Sequence, residues 1–174
     1  YGRIFTPRGI IDTPAFMPVG TQGTVKGIFT DDIIKTNTQI ILGNTYHLLL
    51  RPGVEILNKF NGIHNFMNWK KPILTDSGGF QIWSLSKLRK ILDDGIHFKS
   101  HLDGNSYKLT PEKSILIQEK LNSTISMVLD ECTEYPASYK RSKDSMNLSI
   151  EWAIRCKKKF KKRNGYGIFG IIQG

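Results

Sequence analysis

Apolar positions along this chain fall into short runs broken by polar or glycine-rich clusters, and two periodicities recur. Compact runs rich in Ile, Val, Leu and Phe read as strands at residues 3–5, 10–13, 15–19, 39–42, 72–75, 126–129 and 168–172. Longer stretches between them read as helices at 30–36, 53–60, 111–121 and about 138–163. The third helix has a marked start. Thr110 precedes Pro111 and Glu112, a hydroxyl cap followed by proline at the first helical position.

Strands alternating with helices predict an α/β fold with a parallel sheet. Two hairpins interrupt the alternation. One turns at Pro7-Arg8-Gly9, and the other joins 96–101 to 106–109 through Asp103-Gly104-Asn105. From Ala15 onward, five runs are candidates for parallel strands. A complete (β/α)8 TIM barrel takes about 250 residues, so the chain holds about the first five barrel strands or forms a smaller open sheet. Five barrel strands alone would leave two open apolar edges. The last residues, Gly170-Ile171-Ile172-Gln173-Gly174, read as the end of a buried strand, a poor place for a domain to finish. Two expectations stand at this point: a smaller open sheet, or a fragment of a larger domain.

Composition changes this picture in three places. No run approaches the roughly 20 apolar residues of a membrane span, and the N-terminus has neither signal design nor Met, so a start cut from a longer chain is expected. Cys132 and Cys156 cannot build a disulfide framework or a four-ligand metal site, which favours a reduced, cytoplasmic protein. A net charge of +10 and a pI near 9.6 have two readings of about equal weight: an anionic partner, above all nucleic acid, or a surface that is merely lysine-rich. The run Lys157-Lys158-Lys159-Phe160-Lys161-Lys162-Arg163 has two readings: cations at a helix C-terminus, or contacts to phosphates. Ile150, Ala153, Ile154 and Phe160 are the expected packing face of that helix.

In parallel α/β folds, sites gather at the carboxyl ends of strands. Here those ends carry Gly20-Thr21-Gln22-Gly23-Thr24, Gly43-Asn44-Thr45-Tyr46-His47, Asp76-Ser77-Gly78-Gly79-Phe80-Gln81, Asp130-Glu131-Cys132-Thr133 and Gln173-Gly174. Asp76 and Asp130 offer acceptors, Asn44 and Gln173 offer both donor and acceptor, and Gly78-Gly79 is expected to expose backbone N–H groups. A guanine edge presents adjacent donors beside a carbonyl, and such a set satisfies it. Phe80 and Tyr46 are candidate stacking faces. Each residue alone also fits a plain turn, a helix cap or a solvated loop; only their joint placement points to a site.

Other features carry less. His97 and His101 stand about 13 Å apart on an extended strand, too far for one metal. Met17, Met67, Met127 and Met146 read as core filler. Cys132 reads as a small pocket-lining residue, and His47 as a satisfied histidine.

Several segments now point to a family. Thr13-Pro14-Ala15-Phe16-Met17-Pro18-Val19-Gly20-Thr21-Gln22-Gly23-Thr24-Val25-Lys26 resembles the opening strand and loop of the tRNA-guanine transglycosylases, also called queuine tRNA-ribosyltransferases. So do Leu42-Gly43-Asn44-Thr45-Tyr46-His47-Leu48, Thr75-Asp76-Ser77-Gly78-Gly79-Phe80-Gln81, Leu102-Asp103-Gly104 with Leu109-Thr110-Pro111-Glu112, and the final Gln173-Gly174. Asp130-Glu131-Cys132-Thr133 with Tyr135-Pro136-Ala137 is similar to the bacterial branch. The segments run in family order along essentially the whole chain.

The resemblance implies a TIM-barrel glycosyltransferase, residues 1–174 being the N-terminal part of its single catalytic domain. Such an enzyme exchanges guanine at the anticodon wobble position of tRNA for a 7-deazaguanine, in queuosine biosynthesis. A carboxylate nucleophile attacks the ribose, and a covalent RNA–enzyme intermediate accepts the new base. By motif, Asp76 is the general acid/base, and Asp130 and Gln173 hold the base edge. Ser77, Phe80 and Cys132 line the pocket, with Gly78, Gly79 and Asn44 completing the base-holding set. The implied partners are tRNA, guanine and a base that the bacterial-type motif makes 7-aminomethyl-7-deazaguanine; the full-length protein is expected to be a homodimer. The family's nucleophilic aspartate and the ligands of its structural zinc lie further along than residue 174, so this chain alone is expected to turn over nothing. Two other readings remain open: a non-catalytic RNA-binding accessory subunit of the same family, and an unrelated barrel such as a small-molecule lyase.

Overall fold

A computed structural model of the chain describes residues 1–86 and 88–173. Gly174, which closes the last strand-end cluster, lies outside the described residues. The chain opens with a hairpin of β1 (Gly2–Thr6) and β2 (Gly9–Thr13), as its alternating pattern predicts. Then follow β3 (Val19–Gly20), α1 (Thr30–Lys35), β4 (Ile41–Gly43), α2 (Thr45–Leu48), α3 (Val54–Lys59), α4 (Ile63–Met67), β5 (Ile73–Thr75) and α5 (Gly79–Leu85). A small antiparallel sheet, β6 (Arg89–Leu92), β7 (Gly95–Lys99) and β8 (Ser106–Leu109), precedes α6 (Pro111–Lys120). β9 (Ile125–Met127), α7 (Tyr139–Lys159) and β10 (Gly167–Phe169) complete the described chain.

The central sheet is parallel and five-stranded, in the order β3-β4-β5-β9-β10. Its spatial order follows chain order, without the reversal that creates the crevice of a doubly wound sheet. Successive crossovers therefore advance in one direction, as in the wall of a barrel. One sheet face packs Ile41, Ile73 and Val128 against the helices, where Leu57, Trp69, Ile115 and Trp152 are buried. The opposite face presents Leu42, Leu74, Ile125 and Met127, and the hairpin residues Ile4 and Ile11 join them. The period of two along a strand sorts β5 in this way, Ile73 toward the helices and Leu74 toward the other face.

Several expected elements change length or place. The run 15–19 contributes only Val19–Gly20, because Pro14 and Pro18 cannot donate to a ladder. The run 168–172 pairs only as far as Phe169, and Ile172 is exposed rather than buried. The side hairpin gains a third strand, β6. Helices α2, α4 and α5 are additional. The helix expected over 138–163 stops at Lys159, and its inner face is Ser145, Ser149, Trp152 and Cys156, while Ile150 and Ile154 lie outward. Met146 is likewise exposed, not core. Among the described residues no helix is long and apolar enough to cross a membrane.

Topology also places the basic run. α7 leaves the carboxyl end of β9 and delivers the chain to the start of β10, so residues 157–163 lie at the amino end of the sheet. There Lys161 pairs with Glu119, and Arg163 donates to Asn122 and stacks on Tyr166. The run stands at the opposite pole from the strand-end acids.

Candidate active site

A cavity of about 820 Å³ opens on the face of the sheet that carries Leu42, Leu74, Ile125 and Met127. Its apolar floor is the cluster of Ile4, Ile11, Ile40, Leu74 and Ile125, from the hairpin and the strands. Gln39 ties the hairpin down, accepting from the Asp12 N–H and donating to the Asp12 carboxylate. The cavity rim is polar and comes from the strand exits: Asp76, Ser77, Gln81, Asp130, Cys132 and Gln173. Acids from two adjacent strands and an amide from a third thus share one hollow, with Phe80 beside them.

Asp76 follows β5, two residues beyond Leu74, so the strand's alternation turns it toward the cavity. Four donors hold its carboxylate. The Thr45 and Gly78 N–H groups donate to Oδ1 at 2.8 and 3.1 Å, and the Asn44 and Gln81 amides donate to Oδ2 at 2.5 and 2.9 Å. The Asp76 backbone is fixed as well, its N–H on Gly43 and its carbonyl accepting from Thr45 Oγ1. Burial pushes the carboxyl pKa up, against the downward pull of these four donors.

Asp130 is 6% exposed, and burial raises its pKa too, with the charge of Asp76 adding in the same direction. Its side-chain partner is Gln173, whose Nε2 donates to Asp130 Oδ2 and, at 3.2 Å, to the Glu131 carbonyl. The segment carrying Asp130 is zipped to α7: the Leu129 N–H donates to Cys156 Sγ, the Glu131 N–H to Ser149 and the Thr133 hydroxyl to Ser145. This explains why the inner face of α7 is small and polar. Buried Glu131 points away to Arg141 at 2.5 Å. Beneath, buried Gln118 accepts from the Met127 N–H and donates to the Met127 carbonyl, extending β9 by side-chain hydrogen bonds.

The other expected site residues fall into two groups. Ser77, Phe80 and Cys132 line the cavity. The Cys132 thiol is pushed up to about 12 by burial, with Asp130 and Glu131 adding to the effect, so it stays protonated and shapes the wall. Asn44 is buried and meets Asp76, not the cavity. The expected free N–H groups of Gly78 and Gly79 are occupied: the first donates to Asp76, the second to Ser77 Oγ. Their glycine character serves geometry instead. Gly78 has φ +87°, and a Cβ on Gly79 would stand 2.9 Å from the Asp130 carbonyl oxygen. Tyr46 is buried, with its hydroxyl 2.6 Å from His101 Nδ1, and offers no face to the cavity. Gln81 was overlooked as a holder of Asp76; its position one turn beyond a strand-end acid was the available signal. Its Oε1 is buried without a partner among the described residues. No group of three or more His, Cys, Asp or Glu side chains among those residues is set to hold a metal ion.

Comparison with known proteins agrees with the motif pattern. The chain is 58% identical over 173 residues to the queuine tRNA-ribosyltransferase of Rickettsia typhi, and 57% identical to those of Rickettsia bellii strain RML369-C and Rickettsia felis. Each match covers 99% of this chain and 48% of the relative, so the chain spans about half the length of the curated relatives it matches. The family profile for queuine tRNA-ribosyltransferase matches residues 1–174 throughout, and the chain belongs to that family.

Proposed function

We propose that this chain is the base-holding part of a tRNA-guanine transglycosylase, which exchanges guanine at the wobble position of tRNA for a 7-deazaguanine. The observation that carries the reading is the convergence of Asp76, Asp130 and Gln173 on one cavity. Its volume of about 820 Å³ falls within the range of small-molecule sites and admits a base with its ribose. Asp130 accepts from the two donors of the guanine edge while the Gln173 amide donates to the carbonyl, and Phe80 covers a ring face. A pocket of this kind discriminates strongly, because a base lacking those groups leaves buried partners unpaired.

Asp76 is the proton carrier. A carboxyl whose pKa burial has raised is better matched to proton exchange near neutrality. It protonates the departing guanine as the bond from ribose C1′ to the ring nitrogen breaks, and it takes a proton from the incoming base in the return step. The new bond at C1′ forms to a carboxylate that the family resemblance places outside residues 1–174. The oxocarbenium-like state between these bonds suits such a pair of carboxylates, and the target nucleotide must leave its stack to reach the cavity. On this reading the five parallel strands are the first five of a (β/α)8 barrel, and residues 1–174 alone turn over nothing. The full-length protein is a cytoplasmic homodimer acting with 7-aminomethyl-7-deazaguanine. The structural zinc of the family takes no ligand from the described residues.

Incorporation of labelled guanine into unmodified tRNA by the full-length protein tests the reading. Steady incorporation supports it; no incorporation by a folded, full-length protein, with or without added zinc, overturns it.

A further inference from the structure

Phe80 is 58% exposed and lines the cavity, but it is also the first member of a stacked series that leads out of it. One turn along α5, the Trp83 ring lies 5.8 Å from Phe80, centroid to centroid, tilted by 32°. The Arg89 guanidinium, on the edge strand β6, lies 5.8 Å from the Trp83 centroid. The series thus runs aromatic, aromatic, cation from the cavity mouth to solvent. Trp83 and Arg89 also border a narrow recess behind Asp130 and Cys132, which ties the series to the base-holding segment.

Core packing alone does not account for this arrangement. α5 buries Ile82 completely, whereas Phe80 is turned to the surface and Trp83, beside it, is only partly buried. Arg89 forms no ion pair within 4.0 Å among the described residues; one of its nitrogens donates to the Ser86 carbonyl, and nearby Glu134 is engaged by Arg141. The small sheet behind it is basic. Cross-strand register sets Lys90, His97 and Lys108 in one exposed row, with Lys99 on the same face, whereas Arg89 registers with Phe98 on the other face; Asp94 pairs with Lys108. An aromatic platform ending in a guanidinium without an ion pair is complementary to a single-stranded nucleotide: a ring to stack and a phosphate to pair.

We propose that Trp83 and Arg89 form a second nucleotide subsite, in which Trp83 stacks the base adjoining the exchanged nucleotide and Arg89 contacts its phosphate. The proposal rests on the transglycosylase reading and adds an RNA contact to it. It also reassigns the RNA-facing charge of the molecule. The contact lies at the small sheet near the strand exits, and the lysine run at residues 157–163 lies at the far pole.

The test compares two probes, unmodified tRNA and free guanine, on the full-length protein and its variants Trp83→Ala, Trp83→Phe and Arg89→Gln. Removal of one stacking platform weakens single-strand binding about tenfold, so Trp83→Ala should raise the tRNA Kd by about that factor while leaving the guanine Kd unchanged. Trp83→Phe should restore most of the loss. Arg89→Gln should also weaken tRNA and reduce the salt slope of log Kd by about one. An unchanged tRNA Kd in folded Trp83→Ala and Arg89→Gln overturns the subsite, as does a parallel loss of guanine affinity. Failure of the parent reading looks different: the wild type then incorporates no labelled guanine, and both proposals fall.

Discussion

Asp76 and Asp130 leave adjacent strands, face the same cavity and are both raised in pKa by burial, yet they are held in contrasting ways. Asp76 receives four hydrogen bonds, two from backbone N–H groups and two from the amides of Asn44 and Gln81, which sit on short helices or strand ends. Asp130 has one side-chain partner, Gln173, on an extended segment after β10 in which Ile172 is 98% exposed. The first arrangement fixes a carboxyl in place before substrate arrives, as proton transfer requires. The second pairs an acceptor with a donor that can both exchange partners, as recognition of a base edge requires. Under the proposed function, this difference would divide chemistry from recognition within one hollow.

The largest effect should come from breaking the chemical side. Asp76→Asn in the full-length protein should lower guanine exchange by about 10²- to 10⁴-fold, the usual span for a general acid/base, with the tRNA Kd little changed. Exchange within threefold of wild type would remove Asp76 from the mechanism.

The next effect sharpens the same side. Asn44→Ala deletes a hydrogen bond to a carboxylate, an interaction worth about 1.5–3 kcal/mol. Loss of that donor favours the protonated carboxyl, so the ionisation that Asp76 contributes to the kcat/KM profile should move to higher pH. A lower rate with an unmoved profile would mean that Asn44 has no hold on the charge.

Gln118→Leu probes the support of the recognition side. It strips hydrogen bonds from both backbone groups of Met127, and each buried group left unpaired costs about 1–3 kcal/mol. The urea midpoint should fall accordingly, and guanine affinity should weaken with it because Asp130 stands three residues on. An unchanged midpoint would show that water replaces the amide.

The smallest effect is on stability against pH. Asp76 and Asp130 have folded pKa values above the unfolded value of about 3.9. Between those values the folded state holds more protons, so the stability they contribute rises as pH falls through the raised values, and is lost as pH rises. Glu112 acts oppositely: its hydrogen bonds with Arg155 hold its pKa at about 2, and its contribution is lost as pH falls toward that value. His64 opposes the two acids over the same range, because burial holds its imidazole at about 3 and its contribution is lost as pH falls below about 6.5. The acids are therefore read by difference, and the urea midpoint of wild type should gain on that of Asp130→Asn as pH falls from neutral to about 4. A difference between the two proteins that does not change with pH would contradict the burial of Asp130.

Much of the frame was legible because its signals are local. Thr110 does cap α6, accepting from the Lys113 N–H, and the turn at Asp103-Gly104-Asn105 does join two antiparallel strands. The shortest elements were not legible. α4 and α5 begin at Gly62 and Gly78, both at positive φ and without side-chain caps, so nothing in their sequence announces a helix. β6 reads Arg-Lys-Ile-Leu, too polar at its start to register as a strand, and it is the edge of its sheet. That Asp76 and Asp130 share a cavity was legible because strand ends are where such folds expose polar side chains. Their holders were misjudged for one reason: Asn44, Gly78 and Gly79 all carry groups that suit a base edge, and only three-dimensional register shows those groups already engaged with Asp76 and Ser77. The inner face of α7 was hidden similarly, since Ser145 and Ser149 look solvent-facing until the backbone at residues 129–133 is laid against them.

Guanine titration of the full-length protein, its Asp130→Asn variant and its Asp76→Asn variant tests the division of labour most directly. The account predicts that Asp130→Asn weakens guanine by about a hundredfold or more, the cost of leaving buried donors unpaired, whereas Asp76→Asn binds guanine almost as wild type does. Equal affinity in all three proteins, or a loss confined to Asp76→Asn, would contradict it.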